Sequence, residues 1–365
     1  MFKLIDFIQK HRDTWQHDLQ EKPYCLSISN EGNFYLFKYS QIDSDFHNPV
    51  VRESRGIILW ISGSDVIPAC VPFSKFGNYG EDYADSIDWS TARVQEKVDG
   101  SIIKLWNWEG QWHVSTNGTI NAFNAELPGG LIFKNFGELF MEAAQKAILI
   151  FDELDPRFTY IFELVSPYNR VVVPYEDVSI YHIGTRSNET GREFDMNIQV
   201  KIPAEYPLQT LEDCVEVAKT FPYSQEGFVV VDGDWNRVKI KSPAYVAAHH
   251  VVNNHVVTNA RILNLVLTGE QQEFLTYFPE YEKSVSAVEK GLWNYVIWAE
   301  KMIAVAREKN FETKKDFALW ISGDINAKHF SDLLFIWWDG KLKTSVREWV
   351  MGLAPEKILQ KIGLD

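Results

Sequence analysis

The chain has 365 residues, of which 45% are hydrophobic and 24% charged, the profile of a soluble globular protein and not of a disordered chain. Its net charge of −14 argues against a general basic surface that coats nucleic acid. No apolar run approaches the ~20 residues needed to span a bilayer, and Cys25, Cys70 and Cys214 lie far apart without metal-ligand spacing, so a reducing cytoplasm is expected.

The opening MFKLIDFIQKHRDTW puts Phe2, Ile5 and Ile8 on one helical face interrupted by charge. That predicts a helix over about 2–15 and not a signal peptide. Short strand-like runs then recur between turns: NFYLFKYS, RGIILWIS, SIIKLWNW, YIFELVS, RVVVPY, VSIYHIG, GFVVVDG and RVKIKS. Helical patterns interrupt them at about 131–149 and 211–220. After residue 250 the strand signals nearly vanish. Val285, Val288, Leu292, Val296, Ala299, Ile303 and Ala306 step by three or four, one face of a long helix. Further helices are expected over roughly 260–268, 314–321, 326–338 and 341–351. The prediction is an α+β domain of mostly antiparallel sheets over 1–250, followed by an all-α domain over 251–365.

Charge divides at the same place. Residues 251–365 carry 14 Lys+Arg against 15 Asp+Glu, leaving 22 against 35 in the first 250. An anionic substrate must therefore be drawn to a local basic site.

Within QEKVDGSIIKLW, Lys97 stands before a turn, Asp99-Gly100-Ser101, in an otherwise strand-like stretch. Lys-x-Asp-Gly is a weak signal by itself. Upstream lie ESRGIIL with Arg55 and PFSKFGNYGE with Lys75. Downstream come FELVSPYNRVVVPY with Glu163, EGFVVV with Glu226, and VKIKS, whose Lys239 and Lys241 alternate with Ile240 on one face of a strand. These are parts for attacking a nucleoside triphosphate and stabilising its phosphates. Deprotonating a lysine of ordinary pKa at pH 7 costs about 4.6 kcal/mol, so a nucleophilic lysine needs cations or burial beside it. Taken singly, each residue has a plain structural explanation. Lys97 could be solvated, Glu163 the polar side of a half-exposed strand, Glu226-Gly227 a turn, Arg170 a salt bridge, and Tyr39 and Tyr245 core aromatics. Six tryptophans after residue 290 could stack RNA bases, but their helical spacing favours core. The joint order of the motifs is what the plain explanations do not predict.

That order resembles the covalent nucleotidyltransferase superfamily of ligases and RNA-capping enzymes, and within it the RNA ligase 1 family of T-even-like bacteriophages. KVDGSI resembles the nucleophile motif, FELVSPYNRVVVPY the central carboxylate motif, and EGFVV and VKIKSPAYV the two that follow. The resemblance implies an ATP-grasp-like nucleotidyltransferase domain with Lys97 as the nucleophile that takes AMP from ATP. It implies that Tyr39, Arg55, Lys75, Val98, Gly100, Glu163, Lys239, Lys241 and Tyr245 bind nucleotide, that Glu163 and Glu226 hold Mg2+, and that Gly100 lets backbone approach the nucleotide. The implied substrates are RNA 5′-phosphate and 3′-hydroxyl ends, with cleaved tRNA as a candidate and the helical domain as the RNA-recognising part. A monomer with no membrane partner, in the host cytoplasm if phage-encoded, completes the expectation. In one place the chain departs from the family: Ser115-Thr116-Asn117-Gly118 stands where a Lys-Ser-Lys-Gly-like segment is expected. A capping guanylyltransferase or DNA ligase would follow the last motif with a β-rich fold, and a non-catalytic RNA-binding relative would have lost the lysine or a motif carboxylate.

Overall fold

The computed structural model describes residues 2–127, 132–251 and 257–364. The chain divides into two compact units, one up to Val252 and one from Asn253. The first holds three antiparallel sheets. Strands β1 (Leu26–Glu31), β2 (Phe34–Tyr39), β3 (Arg55–Ser62) and β4 (Asp65–Cys70) pair in sequence order as a meander. A five-stranded sheet contains β6 (Ser101–Trp108), β7 (Gln111–Thr116), β8 (Phe158–Val165), β9 (Ser179–Ser187) and β10 (Glu193–Phe194), in the order β10-β9-β8-β6-β7. The third sheet runs β11-β5-β12-β13, from β5 (Arg93–Glu96), β11 (Glu205–Tyr206), β12 (Gly227–Val231) and β13 (Arg237–Lys241).

Each sheet buries one face under a helix. Leu4, Ile5 and Ile8 of the helix Lys3–Lys10 pack with Phe37, Ile57 and Leu59. Leu139, Phe140 and Ala143 of Phe136–Lys146 pack on Ile103, Leu105 and Phe162. Cys214 and Ala218 of Leu211–Lys219 pack on Val94, Phe228 and Ile240. A last small cluster, Phe73, Phe76 and Ile161 with Ile102, Ile183 and Val229 against it, draws on the second and third sheets together.

The expected helix over 2–15 is two helices, Lys3–Lys10 and Trp15–Gln20, and the helix expected at 131–149 spans Phe136–Lys146, its expected start at 131 lying outside the described residues. RVVVPY is a loop and not a strand, because the amides of Val172 and Val173 both donate to the Asp99 carboxylate and not to a neighbouring strand. Among its described residues the unit from Asn253 holds helices and no strand, with the helix Glu282–Lys309 burying Val285, Val288, Leu292, Val296, Ala299, Ile303 and Ala306 as the spacing predicts. The stretch expected as one helix at 326–338 breaks at Phe330 into two, and that expected at 341–351 is helical only over Val346–Met351. Of its six tryptophans only Trp298 is half-exposed; the others are partly buried, as in the stack of Trp338 on Phe317. Among the described residues no helix is long and apolar enough to cross a membrane.

One buried cation ties the first two sheets together. Lys104 on β6 is fully buried, and its ammonium donates to the Gly56 carbonyl on β3. Gly56 has φ +81°, and a Cβ there would lie 2.7 Å from the Asn117 carbonyl and 2.9 Å from Lys104 Nζ, so only glycine fits. Burial pushes the Lys104 pKa down to about 8. The folded pKa lies below the unfolded one, so the cost of the buried charge is full below pH 8 and is relieved as pH rises toward ~10.4. We predict that chemical denaturation of wild type and Lys104→Met, compared at pH 7 and pH 10.5, will show the difference moving toward wild type by on the order of 3 kcal/mol at the higher pH.

Candidate active site

The site is built on the turn after β5. Phe228 pairs with Glu96, so the next residue, Lys97, falls opposite Gly227, and its amide donates to the Gly227 carbonyl at 2.8 Å. The chain then leaves the sheet, and Asp99 holds it in place. Its buried carboxylate accepts from the amides of Val172 (2.9 Å) and Val173 (2.7 Å) and from the Tyr245 hydroxyl (2.8 Å). Its own amide donates to the Tyr175 hydroxyl at 3.3 Å. Gly100 follows because a Cβ there would lie 2.4 Å from the Leu164 carbonyl on β8. The glycine is required by strand packing before any ligand is considered.

Glu226-Gly227 brings the carboxylate to the lysine. Gly227 has φ +139°, and a Cβ would sit 2.1 Å from the Ile240 carbonyl; glycine lets β12 begin pressed between β5 and β13. Gly227 pairs with Lys241, so Glu226 projects between two lysines. Its Oε2 lies 2.7 Å from Lys97 Nζ and its Oε1 4.0 Å from Lys241 Nζ, with only 3% of the Glu226 side chain exposed.

Around Lys97 is a cavity of about 310 Å³ with walls from all three sheets: Arg55 from β3, Ile102, Glu163 and Ile183 from the second sheet, and Gln95, Val229 and Lys239 from the third. Val98, Gly100 and Asn117 also face it. Phe73 and Phe76 form apolar wall, and the Arg55 guanidinium and the Lys239 ammonium lie 5.2 and 4.9 Å from the centre of the Phe76 ring. Burial holds the Lys239 pKa well below the usual lysine range, and Lys75, Arg55, Lys241 and Lys97 push it the same way. Such a concentration of cations in an acidic unit favours a polyanionic ligand, which would relieve their mutual repulsion.

Glu163 faces this cavity from β8. Burial lifts its pKa to about 7; Lys97 and Arg55 oppose the rise, while Glu226 and Asp99 add to it. Oxygen donors are what Mg2+ takes, usually one or two carboxylates with substrate phosphates completing the shell. Glu163 and Glu226 fit that use: a divalent cation beside them would offset the burial and the like charge that oppose ionisation of Glu163.

The other expected site residues stand apart from the cavity wall. The Lys75 ammonium is boxed by Phe46 (4.9 Å), Tyr39 (5.3 Å) and Tyr83 (5.9 Å) and donates to Gln41 at 3.3 Å. Tyr39 is part of that box. Tyr245 is engaged by Asp99, and Lys241 lies 6.0 Å from the Tyr245 ring centre. The Arg170 guanidinium donates to the Val172 carbonyl at 3.0 Å and so braces its own loop. Of the two positions where lysine was expected, Ser115 is fully buried opposite Lys104 and Asn117 faces the cavity. In the sequence Asp99 stands out only as a turn residue; the readable signal is an aspartate inside a turn, which can bind backbone amides. Phe73, Phe76 and Arg237 carried no such signal.

The RNA ligase family model matches residues 53–245, more than half of the chain and all of the elements just described except Tyr39 and its neighbours. This chain belongs to the RNA ligase family. Among its relatives, a putative bifunctional polynucleotide kinase/RNA ligase of Autographa californica nuclear polyhedrosis virus is 31% identical over 72% of the chain. An RNA ligase of Rhodothermus phage RM378 is 26% identical over 70% of it. The chain spans 40% of the first protein's length and 73% of the second's. A solved archaeal ATP-dependent RNA ligase covers 78% of each chain at 12% identity and a TM-score of 0.43, too distant to add to the fold seen directly.

The raised Glu163 pKa gives a test of this electrostatic picture. A carboxyl whose folded pKa exceeds the unfolded one destabilises the fold above that pKa and not below the unfolded value. In metal-free, nucleotide-free buffer, the advantage of Glu163→Gln over wild type in urea unfolding should therefore grow by roughly 1–3 kcal/mol between pH 5 and pH 8. A difference independent of pH would show that Glu163 is not held in this way.

Proposed function

We propose that the protein is an ATP-dependent RNA ligase that joins RNA 5′-phosphate and 3′-hydroxyl ends. The observation that carries this reading is the 2.7 Å pair of Lys97 and Glu226 beside a cavity lined by Arg55, Lys239 and Glu163, inside the region that matches the RNA ligase family. Lys97 must part from Glu226 and lose a proton before its nitrogen can attack. It then forms a bond to the α-phosphorus of ATP while the bond to pyrophosphate breaks. Lys239, Lys241 and Arg55 balance charge on the phosphates as they separate. When bound at Glu163 and Glu226, Mg2+ would supply further neutralisation of that charge. An RNA 5′-phosphate oxygen next takes AMP from Lys97, breaking the nitrogen–phosphorus bond. Finally a 3′-hydroxyl attacks the activated phosphorus, and AMP leaves. Asn117, Val98 and Gly100 complete the nucleotide wall in this reading, and Lys75 and Tyr39 assist from their aromatic box.

We assign RNA recognition to the helical unit, which has no other chemical role, with cleaved tRNA as the candidate substrate and a monomer as the working form. A capping enzyme or DNA ligase is disfavoured by the family match and by the helices that follow Ser242.

Incubation with labelled ATP and Mg2+, followed by denaturing electrophoresis, should leave AMP bound to wild type through an acid-labile, base-stable link to nitrogen. Lys97→Ala and Lys97→Arg should carry none, since a guanidinium stays protonated and is a poor nucleophile. Glu226→Ala, Lys239→Ala and Lys241→Ala should each slow labelling by on the order of a hundredfold. Labelling of Lys97→Ala at the wild-type yield would refute the assignment.

A further inference from the structure

A second cleft, of about 460 Å³, adjoins the Lys97 cavity, and the two share Phe73, Phe76 and Arg237 as wall. Strand β13 therefore runs from one into the other: Arg237 faces both, and Lys239, two residues and ~7 Å along the strand, faces the Lys97 cavity. A ligand in the second cleft would sit next to whatever reacts at Lys97.

Most of the cleft's cations are committed to the fold. Arg52 donates to the Lys75 carbonyl at 2.9 Å and to Asp85 at 2.7 Å. Arg186 donates to the Gly191 and Pro72 carbonyls. Arg237 grips Glu193 with two bonds of 2.9 and 2.6 Å. Arg192 differs from these. It is exposed at the cleft, and its guanidinium has no partner among the described residues.

Trp235 lines the same cleft from the turn between β12 and β13, and its backbone is strained at φ +67°. Left-handed geometry in such a turn normally falls to glycine or asparagine. Gly233 is in the same turn but does not take that conformation, so the fold places the bulky indole there instead. Asp232 secures the turn, accepting from the amides of Asp234 and Asn236 and from the Asn236 side chain. Strain in a bulky residue persists where surroundings over-determine it, and such positions gather at ligand sites. The Arg237 and Arg93 guanidiniums lie 5.7 and 5.8 Å from the centre of the Trp235 ring, and an aromatic ring and an unpaired guanidinium lining one cleft can together hold one nucleotide of a single strand, by stacking its base and pairing its phosphate.

We propose that this cleft holds a nucleotide of single-stranded RNA next to the end that reacts at Lys97, with the base on Trp235 and a phosphate at Arg192. The proposal rests on the RNA ligase reading above and identifies where that substrate lies. Stacking makes the site tolerant of sequence, and the phosphate contact makes it sensitive to salt.

The test separates the two halves of the reaction in Arg192→Ala, Arg192→Glu and Trp235→Leu. Labelling of each variant by ATP should stay within about twofold of wild type, because neither side chain lines the Lys97 cavity. Transfer of AMP from the purified labelled protein to a 5′-phosphorylated single-stranded oligoribonucleotide should slow by roughly tenfold in Arg192→Ala and Trp235→Leu, and further in Arg192→Glu. Arg192→Ala should also flatten the dependence of transfer on salt. Transfer at the wild-type rate in Arg192→Ala and Arg192→Glu overturns the proposal whatever the fate of the tryptophan variant. It would leave the lysyl-AMP reading intact. Failure of wild type to label with ATP would overturn that reading instead.

Discussion

The buried carboxylate of Asp99 is the constraint on which the site depends. It receives two amides from the loop after β8 and a hydroxyl from the helix that follows β13. Hydrogen bonds to an ionised acceptor in a buried setting are among the stronger ones a fold can make. Through them a four-residue turn is tied to two segments more than 70 residues distant in sequence. Lys97 is the first residue of that turn. Its position follows from the sheet on one side, through Gly227, and from Asp99 on the other.

Charge is the second constraint on the site. The unit carries an acidic excess, yet Arg55, Lys97 and Lys239 line one cavity with Glu163, and Glu226 sits between Lys97 and Lys241 at its edge. Burial and mutual repulsion hold Lys239 well below its ordinary pKa and lift Glu163 to about 7. Neither arrangement favours the empty protein. Both fit a site completed by a polyanion and a divalent cation, in which stability has been given up for binding.

Much of this was legible in the sequence. The order Lys97, Glu163, Glu226, Lys239, Lys241 pointed to the family, the change from strand to helix near residue 250 matches the division between the units, and the helix through Val285 and Ala306 followed its spacing. What escaped had a physical reason in each case. RVVVPY has the composition of a strand, but Asp99 takes its amides, and the pattern carries no trace of a partner distant in sequence. The family resemblance gives Gly100 to the nucleotide, whereas its nearest constraint is the Leu164 carbonyl. Lys104 alternates with Ile103 and Leu105 like a solvent-facing residue of β6. It is buried because a second sheet covers that face. Trp235 gave no signal, since a residue's φ cannot be read from its type.

In the proposed reaction the turn geometry held by Asp99, and not the lysine alone, sets the reactivity of Lys97. Asparagine in its place offers one oxygen where the carboxylate has two, so either the paired amides or the Tyr245 hydroxyl must lose its acceptor. The direct measurement is the single-turnover rate of AMP transfer to Lys97 in Asp99→Asn at saturating ATP, with folding verified by circular dichroism. The rate should be lower by on the order of a hundredfold in a folded protein that still contains Lys97. A wild-type rate in the folded variant would contradict that role of Asp99.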